Sequence, residues 1–188
     1  MDQSLIKRRM VGRDIGDKYY RSDYEHDYGK KVVLSLNNIT AGSLKDFNLE
    51  LHEGEILGLG GLSGSGMHEV GRLAFGIDKP EKGSVSNVKG EVVNPRVAIE
   101  QNMAYISKDR DSEALILEGK IKDNLNLPSL PRLEKLFYIS PFKERKLAQK
   151  EITNLSIKTR HMSQTVNELS GGNKQKVSFA KWTAMNSD

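Results

Sequence analysis

The sequence predicts an α/β domain, and three features predict it. Strand-like apolar stretches bracket helical patterns along the chain; a glycine-rich turn joins one such stretch to a helix start; and a second glycine pair opens another helix near residue 170.

Taken in order, residues 1–30 are polar, with Tyr19, Tyr20, Tyr24 and Tyr28 spaced among acids and no sustained apolar period, so they read as a linker or arm. Strands are expected over 32–39, 47–51 and 56–60. Asn37-Asn38 and Ala41-Gly42-Ser43 supply turn chemistry between the first two, and His52-Glu53-Gly54-Glu55 forms the turn into the third. A helix begins at Met67, carries Leu73 and Ala74 on its apolar face and ends at Phe75-Gly76. Gly71 inside it costs about 1 kcal/mol relative to Ala, which places it at a close packing contact. A short hairpin is expected across 83–93 and a buried strand over 103–106. Ser140 with Pro141 opens a further helix, with Leu147, Ala148, Ile152 and Leu155 recurring on one face. The last helix follows Leu169-Ser170-Gly171-Gly172 and runs through Val177, Phe179, Ala180 and Trp182.

Composition narrows the class. The 188 residues suffice for one domain with a core, and the absence of cysteine leaves no disulfide framework or thiolate metal site. The four histidines, His26, His52, His68 and His161, show no ligand spacing, and no metal site is expected. No apolar run approaches the length of a bilayer span and no signal-peptide core follows the charged start, so a cytoplasmic protein is the plain reading. Net charge is only +4, but 132–181 carries 11 basic against 4 acidic residues. Such a stretch can meet nucleic acid or an anionic membrane surface. Its lysines interleave with an apolar stripe, so a solvated helix face is the plainer reading.

Chemistry concentrates in two motifs. The run Gly61, Leu62, Ser63, Gly64, Ser65, Gly66 has the G-x-x-x-x-G spacing of a phosphate-binding loop, in which successive N–H groups and a helix N-terminus converge on phosphate oxygens. Met67 and His68 then stand where a lysine should reach the β- and γ-phosphates and a hydroxyl should hold Mg²⁺. A charge-assisted contact contributes about 1.5–3 kcal/mol, so Met67 alone weakens nucleotide binding roughly tenfold to a hundredfold. Taken alone, the loop is equally a tight strand-to-helix turn, and His68 reads as an exposed first-turn residue before it reads as a metal ligand. The second motif is Leu169, Ser170, Gly171, Gly172 and Asn173, followed by Lys174-Gln175-Lys176. Locally it is a serine-capped helix start. Ser170 lies 104 residues beyond Gly66, and that pairing is what a cap alone does not explain.

With these motifs the chain resembles the ABC transporter ATPases, and within them the second, C-terminal ATP-binding domain of tandem ribose/galactose-type importer subunits. Gly54-Glu55-Ile56-Leu57-Gly58, Tyr105-Ile106-Ser107-Lys108-Asp109-Arg110, Leu155-Ser156-Ile157-Lys158-Thr159 and Met10-Val11-Gly12-Arg13 resemble the same group. The resemblance implies a P-loop NTPase fold over 31–188, with an antiparallel β subdomain and a helical subdomain about 120–172. The stretch from about Ile121 to Arg160 would dock on the membrane permease.

The resemblance also implies ATP bound between two domains head to tail, with Ser170, Gly171 and Gly172 serving the γ-phosphate held by a first ATP-binding domain or a second ATPase copy. It implies ATP-driven import of a monosaccharide from the cytoplasmic face of the inner membrane, beside permease subunits and, indirectly, a sugar-binding protein. Nucleic acid is not an expected partner. Departures are specific: Met67 removes the loop's charge, Lys108 occupies the Q-loop position, and no aromatic stacking residue stands near Ala41-Gly42-Ser43. The Walker B strand is not found before Asp188, so the domain is expected to be cut short before Walker B and inactive alone. ATP would bind weakly at its own site, with Mg²⁺ held mainly by the partner site. The alternative is a non-catalytic nucleotide-sensing or interaction module.

Overall fold

A computed structural model describes residues 28–186. Most of the arm expected over 1–30, with the Met10-Val11-Gly12-Arg13 segment, lies outside the described residues, as do Ser187 and Asp188.

Strand β1 (Val32–Ala41) and strand β2 (Leu44–His52) form a hairpin whose turn puts Gly42 at φ 53°. After a 14-residue loop, helix α1 (Met67–Ala74) leads to β3 (Lys82–Asn87) and β4 (Gly90–Glu91). The four strands form one antiparallel sheet in the order β2-β1-β3-β4. Register is set by the apolar residues: Leu36 lies opposite Leu49 on β2 and Val85 on β3. Asn37-Asn38, expected in a turn, lies within β1. Asn38 takes φ 50° and its N–H donates to Asn48 Oδ1 at 2.8 Å, so the pair makes a bulge rather than ending the strand.

Two expected strands are absent. Residues 56–60 and 103–106 form no regular element and pair with no strand among the described residues. Ile56 is 88% exposed, and Leu57, Leu59 and Ile106 also face solvent. Apolar extended sequence becomes a strand only when a neighbour supplies ladder partners, and none of the described residues does so here.

The remaining chain is helical. Helix α2 (Pro95–Glu100) precedes a π-helical turn (Arg110–Ala114), α3 (Ile121–Asn126) and α4 (Leu130–Leu133). A minimal hairpin, β5 (Glu134–Lys135) with β6 (Tyr138–Ile139), leads into α5 (Pro141–Asn154), and α6 (Gly171–Thr183) is the last long helix. Helix α5 starts at Ser140-Pro141 as expected, with Ala148 and Ile152 buried.

Two apolar cores result. One gathers Leu36, Ile39, Val85, Leu73, Phe75 and Trp182 beneath the sheet, and the other gathers Ile121, Leu125, Ala148, Val166, Val177 and Ala180. Helix α6 contributes to both. Its middle fills the helical core, and Trp182 meets Phe75 edge to face at 5.4 Å. Phe179, expected on the apolar face, is 46% exposed, since the buried stripe of α6 follows Val177, Ala180 and Lys181.

Candidate functional site

The glycine loop sits where the sequence places it. Gly66 precedes α1 at φ 91°, a conformation L side chains rarely adopt, and a Cβ there would come within 2.7 Å of Leu44. No side chain caps α1, so its first N–H groups stay open, while the Ser65 N–H closes a turn on Leu62 O at 3.0 Å. Gly61, Leu62, Ser63, Gly64 and Ser65 are exposed. This backbone suits a phosphate.

Its side chains do not. Met67 is partly buried and uncharged, and His68 is exposed. The acid of the first turn, Glu69, keeps one buried carboxylate oxygen without a hydrogen-bond partner, and a Cβ on Gly66 would lie 2.9 Å from it. An acid, not a base, therefore stands against the last glycine of the loop. No group of three His, Cys, Asp or Glu side chains among the described residues can hold a metal ion.

Helix α1 is anchored at its other end. Gly71 packs so closely that a Cβ would stand 3.2 Å from the Tyr105 ring, the close contact expected of it. Arg72 grips Asp78 through Nε at 2.6 Å and Nη2 at 3.0 Å, and reaches Glu113 through Nη1 at 2.7 Å. Ser107 donates to the other Glu113 oxygen. The hydrogen-bonded Asp78 and the nearby Glu113 raise Arg72 above its usual range, and Arg72 in turn lowers Asp78. These residues tie the glycine-loop helix to the segment 107–114. Lys108 is exposed, and Asp109 caps the π-helical turn by accepting from the N–H groups of Asp111 and Ser112. Ser112 holds the Asp109 carboxyl below its usual value.

The second motif differs in kind from the first. Ser170 takes the cap position of α6 at φ −62° and ψ 155°, but its hydroxyl caps no backbone N–H. Instead Ser170 Oγ accepts from Asn173 Nδ2 at 2.9 Å, while Asn173 Oδ1 accepts the Lys158 N–H at 2.9 Å. The expected serine cap is thus replaced by a side-chain clamp, leaving the helix N-terminus open. Ser170, Gly171 and Gly172 are exposed. Two cations border them. Arg110 donates to Gln175 at 3.3 Å, with Nη2 only 3.1 Å from where a Cβ on Gly171 would stand, and Lys174 lies 3.7 Å from Asp111. Leu169 is buried in the helical core.

The structure thus brings the 107–114 segment to both motifs but keeps the motifs apart. Among the described residues, no hydrogen bond or ion pair joins 61–68 to 169–173. Arg72, Glu113 and Arg110 were not singled out as site residues from sequence. Their partners lie 41 and 65 residues away, so no local spacing marks them.

The fold is that of an ATP-binding cassette. A dimeric cassette solved in a post-hydrolysis state bound to ADP and Pi aligns with TM-score 0.68 at 24% identity, over 81% of this chain and 70% of that one. A dimeric bacterial ABC transporter cassette aligns with TM-score 0.67 at 25% identity, over 81% and 70%. The chain belongs to the ABC transporter family, whose profile matches residues 44–188. A ribose import ATP-binding protein of Rubrobacter xylanophilus is 37% identical over 186 residues, covering 97% of this chain and 36% of that protein. One from Lactococcus lactis subsp. lactis is 38% identical over 183 residues, covering 94% and 36%. The chain therefore spans little more than a third of the length of these curated relatives.

Proposed function

We propose that this chain forms part of the ATP-binding subunit of a monosaccharide importer, as a second ATP-binding domain over 31–188 with a helical subdomain about 120–172. In this reading it works at the cytoplasmic face of the membrane against permease subunits, with a sugar-binding protein delivering the substrate. Its open Ser170-Gly171-Gly172 helix start faces the γ-phosphate of ATP held by a first ATP-binding domain or a second ATPase copy. Its own loop, 61–68, is the weaker site, and Mg²⁺ is held mainly by the partner.

The observation that carries the reading is the contrast between the two motifs. At 170–172 an uncapped helix N-terminus and a clamped hydroxyl lie open to solvent, with Arg110 and Lys174, both paired with Asp111, at their border, which suits a polyphosphate presented from outside. At 61–68 a similar backbone lacks any cation and sits beside the Glu69 carboxylate. The relatives named for ribose import support the substrate class. The exposed apolar residues Ile56, Leu57, Leu59 and Ile106 support a sheet completed by a further strand, which in this reading carries the Walker B acids. A non-catalytic nucleotide-sensing module is favoured by Met67 and His68 alone, and it leaves the arrangement around Ser170 without a purpose.

The test is Ser170→Arg in the assembled transporter, which should abolish ATP turnover while leaving assembly intact, because Ser170 is exposed. Unchanged turnover in an intact assembly removes Ser170 from the phosphate site.

A further inference from the structure

Arg110 opens the π-helical turn and reaches the start of α6, where its Nη2 stands 3.1 Å from the place a Cβ on Gly171 would take. A side chain at 171 would press on the guanidinium, so the glycine is what admits it this close to the helix start. The turn that carries Arg110 is fixed from two sides. Asp109 accepts from the N–H groups of Asp111 and Ser112, and Glu113 takes Arg72 at 2.7 Å together with the Ser107 hydroxyl. The guanidinium itself is held loosely. Its Nε is buried without a hydrogen-bond partner, and its Nη1 donates to Gln175 at a long 3.3 Å. Among the described residues Nη2 meets no hydrogen-bond acceptor. The acid it faces, Asp111, lies 3.4 Å from Nε and is shared with Lys174 at 3.7 Å. Two cations thus divide one carboxylate, and the excess positive charge lies beside the open N–H groups of α6.

We propose that Arg110 is itself a binding residue, whose guanidinium donates to the terminal phosphate of the ATP that meets the helix start at 170–172. This rests on the proposed function, in which ATP held by another domain reaches that helix start. The planar fork of an arginine matches phosphate oxygens, and here it acts on the same charge as the helix N-terminus. Lys174 keeps Asp111 occupied when the guanidinium turns from it to the phosphate. A contact with the terminal phosphate alone tells a triphosphate from a diphosphate.

The test is ATP turnover by the assembled transporter, with ADP as competitor. Arg110→Gln removes one charge-assisted contact, so it should raise the KM for ATP roughly tenfold to a hundredfold with little change in kcat. Inhibition by ADP should stay as in the parent, because ADP lacks the phosphate concerned. Arg110→Lys keeps the charge without the fork and should fall between the two. Asp111→Asn frees the guanidinium and should lower the KM by up to about fivefold. An unchanged KM in Arg110→Gln, or equal weakening of ATP and ADP, overturns the proposal. So does a KM raised by Asp111→Asn, since the pair would then serve only as a brace. Ser170→Arg in the same assembly separates the two claims. If it abolishes turnover while Arg110→Gln changes nothing, only the role of Arg110 falls; if neither has an effect, the helix start meets no ATP and both fall.

Discussion

Trp182→Ala tests whether α6 ties the two cores together. Trp182 is buried at the end of the helix that opens at Ser170, and its ring meets Phe75, which stacks on Tyr105 at 5.7 Å. Truncating a buried Trp to Ala costs about 3–5 kcal/mol, including the loss of an edge-to-face contact of about 0.5–1.5 kcal/mol. Domain stabilities run about 5–15 kcal/mol, so this one change removes roughly a fifth or more of a typical margin. Trp182→Phe should cost far less, because it keeps a ring against Phe75 and removes an indole N–H that is buried without a partner. Phe179→Ala, three residues earlier on the same helix and half exposed, should cost only about 1 kcal/mol. Urea unfolding followed by far-ultraviolet circular dichroism compares all three; tryptophan fluorescence cannot, since Trp182 is the sole tryptophan. Equal losses for Trp182→Ala and Phe179→Ala would refute the bridging role.

Three further expectations follow from particular contacts. Arg72 holds the Asp78 carboxyl below its ordinary value of 3.8, so the stability from this pair is fully present above about pH 3.8 and lost as pH falls through the lower folded value. Asp78→Asn should therefore melt below the parent at neutral pH, with the gap closing in acid; a gap constant with pH contradicts the linkage. Asn124 is buried and makes three hydrogen bonds to the backbone of Ile116 and Lys120, so Asn124→Leu should destabilise by about 1–3 kcal/mol by chemical denaturation. Gly71→Leu should cost about 1–3 kcal/mol by overpacking against Tyr105, and a neutral result would show that the ring gives way.

What the sequence made legible was local. The glycine loop, the start of α1 at Met67, the Ser140-Pro141 helix start and the opening of α6 depend on neighbours within a turn or two, and each sits where expected. Pairing was less legible. Residues 56–60 and 103–106 have strand-like composition, but a strand is a relation between segments, and the described residues supply no partner. Asn37-Asn38 have turn composition, yet β2 and β3 hold them in a bulge. The turn at Leu136-Phe137 carries no turn residues and was invisible. At the candidate site, the residues 169–173 were named from sequence, but the clamp of Asn173 on Ser170 and the approach of Arg110 required the fold.

In the proposed function, residues 61–68 form a nucleotide cradle from which the binding side chains are missing. Calorimetric titration of Mg-ATP into the chain and into Met67→Lys with His68→Thr tests it most directly. Restoring one charge-assisted contact of about 1.5–3 kcal/mol should tighten binding roughly tenfold to a hundredfold over weak parent binding. Tight binding by the parent, or no gain in the variant, would contradict the account.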